Sequence, residues 1–161
     1  MKRLVLIGLA LAAILSGCGG DDSSKASPGT FAAADKFNIA QLQVKWHEAN
    51  TTKNLDQAMS LFADDAVLTI GGQHYTGKDQ IRNFVAKSAP FRPENRWTSL
   101  HPAFKLRITA VEDRGTIHFE CHFIDVATQA FKASVGGDAK VARVKDKWLF
   151  TNIIGSNATL G

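Results

Sequence analysis

Three groups of side chains that could do chemistry lie close together between Ile117 and Asp125. Asp125 continues the alternation of Ile117, Phe119, Cys121 and Phe123, so in an uninterrupted strand its carboxyl projects to the apolar side. Desolvation there raises a carboxyl pKa and makes the group a candidate general acid or base. The competing expectation is structural: the strand ends or bulges near Asp125, and the carboxylate caps a turn in Asp125-Val126-Ala127-Thr128. His118, Glu120 and His122 share the opposite face and suggest a metal site. At about 3.3 Å per residue, however, the two imidazoles stand roughly 13 Å apart, too far to hold one ion. No metal is therefore expected, nothing calls for a cofactor, and the histidines are assigned to the surface or to a contact between two copies. Cys121 shares parity with two phenylalanines and reads as a buried small hydrophobe rather than a nucleophile.

Periodicity supplies the elements that position these groups. After Trp97, Leu100, Pro102, Phe104, Leu106 and Ile108 share one face, and Pro102 marks an edge or a bent start. A loop at Asp113-Arg114 returns the chain antiparallel, pairing Ile108 with Phe119, Leu106 with Cys121 and Phe104 with Phe123. Arg107 then meets Glu120 as a cross-strand ion pair on the outer face. A one-residue slip would set apolar against polar faces, which fixes the parity. Two further strands are expected over residues 140–144 and 148–154, turned by Lys145-Asp146-Lys147. Upstream, Asn38 with Gln41 offers an N-cap ahead of Ile39, Leu42, Trp46 and Ala49. Asn54 with Gln57 repeats the signal ahead of Leu55, Ala58, Met59 and Phe62. A short strand over 66–70, a Gly71-Gly72 turn, a strand over 73–76 and a helix marked by Ile81, Phe84 and Val85 and ended by Pro90 follow.

The first residues read as an address. Lys2 and Arg3 precede a small and apolar run over residues 4–15, after which the chain turns polar from Gly19 onward. That run is too short to span a bilayer, which takes roughly 20 apolar residues, and suits the core of a secretory signal. The quartet Leu15-Ser16-Gly17-Cys18 resembles a bacterial lipobox. The resemblance implies cleavage before Cys18, a lipid on its sulfur, and a protein anchored in the bacterial cell envelope on the extracytoplasmic side. The expected layout is a signal peptide over 1–17, a lipidated cysteine and tether over 18–35, one domain over 36–157 and a tail over 158–161. Loss of Lys2 and Arg3 lowers the formal charge from +4 to +2. The locally basic Lys87, Arg92, Arg96, Lys105 and Arg107 then read as a solvated rim, and no nucleic-acid partner is expected. With Cys18 taken by lipid, Cys121 has no disulfide partner. A composition of 45% hydrophobic and 21% charged residues in 161 excludes wholesale disorder, collagen and coiled coil, and leaves room for one ordinary domain.

The stretch Asn54-Leu55-Asp56-Gln57-Ala58-Met59-Ser60-Leu61-Phe62-Ala63-Asp64-Asp65-Ala66-Val67 resembles the second-helix signature of the nuclear transport factor 2-like superfamily, particularly its SnoaL-like branch. Gly72, Tyr75, Gly77, Ile81, Phe84 and Asp146-Lys147-Trp148-Leu149-Phe150 extend the likeness over about residues 39–156. The resemblance implies an α+β fold: a cone-shaped curved antiparallel sheet wrapped around three N-terminal helices, a cystatin-like α+β barrel with an apolar pocket at its wide end. Trp46, Tyr75, Phe104, Asp125 and Asn152 are the residues expected at that pocket. Ketosteroid isomerases of the superfamily carry a phenol on the first helix and a carboxylate base at the end of the first strand; these positions fall here on Trp46 and Ile70, with a later acid near Asp138. A histidine that many SnoaL-like sequences carry on the last strand is Ile154 here. Both departures lower the case for acid–base catalysis.

Three functions remain open. The favoured one is a lipid-anchored, non-catalytic protein that binds a small apolar or amphipathic molecule. The second is a hydrolase, dehydratase or cyclase working through Asp125. The third is an envelope assembly module acting through the convex sheet face, by which two copies could also meet. One expectation needs no fold: Cys18→Ser abolishes lipid attachment, because the lipidating reaction requires the thiol. Detergent-phase partitioning checks it, and a Cys18→Ser protein that partitions like wild type contradicts it.

Overall fold

The computed structural model describes residues 28–99, 105–156 and 159–160. The signal peptide, Cys18, most of the tether and Phe104 lie outside the described residues. The described residues open with helix α1 (Pro28–Thr52), so the segment read as tether is helical from Pro28, and Asn38 lies inside the helix rather than capping it. Proline suits a first helical position, where its missing N–H has no intrahelical partner to lose. The early turns are tied down across the chain, since Arg143 Nη2 donates to Asp35 Oδ1 at 2.6 Å. Ile39, Leu42 and Ala49 face the core as their spacing requires.

Helix α2 (Leu55–Met59) is capped as expected, with Asn54 Oδ1 accepting from the Gln57 N–H at 2.9 Å. It is short because Phe62 already belongs to strand β1 (Phe62–Ile70). Gly71 and Gly72, at φ 58° and 78°, form the tight turn to β2 (Gln73–Thr76). Helix α3 (Gly77–Lys87) and a 3-10 turn (Ala89–Phe91) follow. The remaining strands are β3 (Trp97–Ser99), β4 (Lys105–Val111), β5 (Arg114–Asp125), β6 (Phe131–Val144), β7 (Lys147–Gly155) and β8 (Thr159–Leu160).

These strands form one sheet in the order β2-β1-β7-β6-β5-β3, with β4 also on β5 and β8 on β6. The sheet is mixed rather than wholly antiparallel, because β1 runs parallel to β7. In β5, Ile117, Phe119, Cys121 and Phe123 are all buried, so the parity read from sequence holds. The β4–β5 pairing does not follow the expected register. Val111 pairs with Arg114 around a tight Glu112-Asp113 turn, Glu112 taking φ 51°, so Leu106 meets Phe119 and Ile108 meets Ile117. A two-residue slip preserves which face is apolar and is therefore invisible to the pattern. It changes the ion pair: Arg107 lies opposite His118, and Glu120 pairs with Lys105 Nζ at 3.0 Å.

Two bulges shape the far end of the sheet. Val141 pairs with Phe150 but Lys140 with Asn152, which leaves Thr151 as the extra residue; Phe123 pairs with Ala133 but Ile124 with Phe131, which leaves Lys132. Near the first bulge β6 and β7 approach closely at Gly137 and Gly155. A Cβ on Gly137 would collide with the Ile154 carbonyl oxygen and lie 3.1 Å from Phe119 Cζ. Gly137→Ala is therefore expected to cost about 1–3 kcal/mol as an overpacking change, read as a lowered denaturation midpoint. An unchanged midpoint would show that the two strands have room to part.

Candidate functional site

Helix α1 covers only part of the concave face, and a cavity of about 260 Å³ lies between it and the sheet. Trp46 from α1, Phe62 from β1, Phe119 and Phe123 from β5, and Phe150 and Ile153 from β7 form its apolar wall. Trp46 meets Phe62 edge-on, with ring centroids 5.9 Å apart, and Phe62 meets Phe150 at 5.5 Å. Four residues bring polar side chains to the lining: Gln43, Asn50, Ser88 and Ser156. Among the described residues that line the cavity there is no acid, base, cysteine or tyrosine. Three of the polar side chains already have partners: Ser88 Oγ donates to Val85 O at 2.6 Å, Ser156 Oγ accepts from Gly136 N at 3.0 Å, and Asn50 Nδ2 donates to Trp46 O at 2.6 Å.

Of the expected pocket residues, Trp46 is where the sequence put it. Tyr75 is not on the cavity wall: its ring stacks on Phe84 at 4.3 Å and its hydroxyl donates to Gln73 Oε1 at 2.8 Å. It lines an outer groove with Gln80, Asn83 and Lys87, and Phe84 and Ser88 stand between that groove and the cavity, lining both. Asn152 is absent from the wall because the Thr151 bulge inverts the parity of β7; Ile153 turns inward and Ile154 becomes 56% exposed. Phe104 lies outside the described residues.

Asp125 is buried, as parity required, yet it serves the strand end. Its Oδ1 accepts from the backbone N–H of Ala127 and of Thr128, both at 2.9 Å, and from Thr128 Oγ1 at 3.2 Å. Asp125 N donates to Ala130 O at 2.9 Å, closing the loop into β6. The Thr128 N–H, aided by Ala127, the Thr128 hydroxyl and the nearby Arg96 guanidinium, holds the carboxyl below its ordinary range against the opposing pull of desolvation. That is the reverse of the raised pKa a proton-transferring carboxyl needs at neutral pH, and Asp125 is not among the cavity-lining residues. The Asp125 carboxylate thus caps the turn Asp125-Val126-Ala127-Thr128.

The outer face of β5 carries further titratable groups. His118 Nδ1 lies 2.9 Å from Asp138 Oδ1, and His122 Nε2 lies 3.0 Å from Glu120 Oε1. Lys105 first, then His122, lowers the Glu120 pKa. No group of three or more His, Cys, Asp or Glu among the described residues is placed to hold a metal. Sequence reasoning missed the polar side of α1, where Gln43, His47 and Asn50 are each at most 4% exposed. Their spacing places them beside the apolar row of Ile39, Leu42, Trp46 and Ala49, which was the available signal. Cys121 Sγ lies 3.2 Å from His47 Nε2 and 3.9 Å from Gln43 Oε1. Burial, then the Glu120 charge, pushes the thiol up to about 12, so it stays protonated and unreactive.

Residues 32–153 match the model of the SnoaL-like domain. The chain belongs to the SnoaL-like family. Among solved structures, an NTF2-like protein with a cystatin-like fold from Novosphingobium aromaticivorans is similar at 13% identity and a TM-score of 0.69, covering 86% of this chain and 91% of that one. A cystatin-like protein from Nostoc punctiforme is similar at 15% identity and 0.68, over 80% and 92%. A ketosteroid isomerase-like protein from Erwinia carotovora atroseptica is similar at 12% and 0.58, over 76% and 95%. At these identities the likeness is one of fold, an NTF2-like α+β architecture. No curated protein matches the chain. In this SnoaL-like domain the isomerase positions carry no acid–base group inside the cavity: Trp46 and Ile70 both line it, and Asp138 is spent on His118 outside.

The Asp125 cap has a pH signature. A lowered folded pKa contributes stability that is present above the unfolded value, about 3.9, and is lost as pH falls through the folded one. Asp125→Ala is expected to lower the denaturation midpoint at neutral pH, and Asp125→Asn to lower it less, since an amide oxygen still accepts. The gap between wild type and Asp125→Ala should narrow on acidification below about pH 4. A gap unchanged down to about pH 2 would contradict the cap.

Proposed function

We propose that this SnoaL-like domain is a binding protein that takes one small apolar or amphipathic molecule into the cavity under α1 and does no acid–base chemistry on it. The observation that carries this reading is the lining: aromatic and aliphatic walls, four uncharged polar residues, and no ionisable side chain among the described residues. Proton transfer in such a site would lack a positioned donor or acceptor of suitable pKa. Binding needs only the apolar surface and a few polar contacts for orientation. A volume of about 260 Å³ suits a compact ring system or short chain rather than a two-tailed lipid. An anchored location at the envelope, through a lipid on Cys18, is part of the same proposal and rests on the Leu15-Ser16-Gly17-Cys18 quartet.

The neutral probe N-phenyl-1-naphthylamine tests the reading, since its emission rises on entering an apolar site. Saturable binding by the wild-type protein is expected. Val135 lines the cavity, so Val135→Phe should fill part of it and weaken binding at least about 10-fold while the protein stays folded. Equal affinity in a folded Val135→Phe protein would move the site elsewhere, and absence of any saturable binding would remove the reading altogether.

A further inference from the structure

Gln43 is 3% exposed and lines a mainly apolar cavity. A buried primary amide normally finds partners for its carbonyl and its N–H groups, because leaving them unmade has a free-energy cost. Here the Gln43 carbonyl is approached by one group, the Cys121 thiol, which donates toward Oε1 from 3.9 Å. The thiol is itself fixed on β5 between Phe119 and Phe123, with His47 Nε2 3.2 Å from its sulfur. Oε1 is the amide atom turned toward Cys121 on the sheet. The Gln43 Nε2 group has no hydrogen-bond partner among the described residues, and Gln43 lines the cavity. Asn50, seven residues further along the same helix face, differs in this respect: its Nδ2 already gives one of its two N–H groups to Trp46 O at 2.6 Å. Of the two buried amides, Gln43 is the one whose NH2 makes no hydrogen bond among the described residues.

The charge state of the occupant follows from the same wall. An ionised carboxylate or ammonium would be desolvated there with no opposite charge among the described lining residues to compensate it, which strongly disfavours either. A carbonyl or ether oxygen is different, since one amide N–H satisfies it and it restores the partner that Nε2 lacks.

We infer that Gln43 is the specificity-determining residue of the cavity, donating through Nε2 to a neutral oxygen acceptor on an uncharged, mainly apolar ligand. This rests on the binding reading above and narrows the ligand to ring-bearing or short-chain ketones, esters and related neutral oxygen compounds. The bound acceptor takes the place of the missing partner, with the Cys121–His47 pair behind Gln43.

Two probes of nearly equal shape separate the possibilities: 2-acetylnaphthalene, which carries the carbonyl, and 2-ethylnaphthalene, which does not. Calorimetric titration of the wild-type protein should show the acetyl compound bound at least about 10-fold tighter. In Gln43→Met, which keeps the length of the side chain but loses the donor, that preference should vanish while 2-ethylnaphthalene still binds. Retained ethyl binding also shows that the variant is folded; Gln43→Leu serves the same comparison if Gln43→Met is unstable. A wild-type protein that binds both probes equally, or a folded variant that keeps the preference, overturns the role of Gln43 and leaves the binding reading standing. Failure of both probes to bind wild type overturns the binding reading and this inference together.

Discussion

Phe62 has almost no exposed surface, and its ring is held against Trp46 of α1 on one side and Phe150 of β7 on the other. Edge-on and tilted aromatic contacts of this kind fix orientation as well as bury area. They help seat the long helix on the sheet, together with Ile39, Leu42 and Ala49 of the same helix, which also face the core. A helix cannot follow the curve of the sheet throughout, so part of the concave face is left uncovered. Phe119, Phe123 and Ile153 belong to that uncovered part. The cavity is thus a consequence of how α1 is seated, and its aromatic character is inherited from the residues that seat it.

Several charged groups lie on the other side of the sheet or at its ends. Lys105, Glu120 and His122 pair on the outer face, as do His118 and Asp138, while Asp125 closes the loop after β5. Arg143 joins Asp35 and Asp113 with its guanidinium 5.0 Å from the Trp148 ring centroid, fastening the start of α1 to the end of β6. Each of these charges is engaged in holding an element in place, where solvent or a partner compensates it. The interior keeps uncharged polar groups, with the neutral Cys121 thiol and the His47 imidazole packed behind Gln43. Fold does not decide function; the reading of this domain as a binding protein rests on its lining.

Much of this was legible in the sequence, for identifiable reasons. Alternation over Ile117 to Phe123 marks the buried face because a strand has a period of two, and Gly71-Gly72 and Lys145-Asp146 mark tight turns because those positions take positive φ. Asn54 capped α2 as its spacing with Gln57 suggested. What stayed hidden has physical causes too. A two-residue slip of β4 against β5 preserves parity, so pattern alone could not separate Lys105 from Arg107 as the partner of Glu120. The Thr151 bulge inverts β7 without any residue type that announces it, and so Asn152 went to the wrong face. Asp125 was placed correctly inward, yet only the loop conformation shows its hydrogen bonds running to Ala127 and Thr128. Gln43 and Asn50 read as polar helix residues, and their burial depends on a helix face wider than the apolar stripe.

The claim that most needs an independent observation is that the cavity holds a neutral molecule and leaves it unchanged. Native mass spectrometry of the protein purified gently from its own source tests this directly. The expected result is a protein ion carrying one small uncharged molecule, which denaturation releases and which is recovered intact after prolonged incubation with excess protein. Conversion of that molecule during the incubation, or a spectrum of bare protein only, would contradict it.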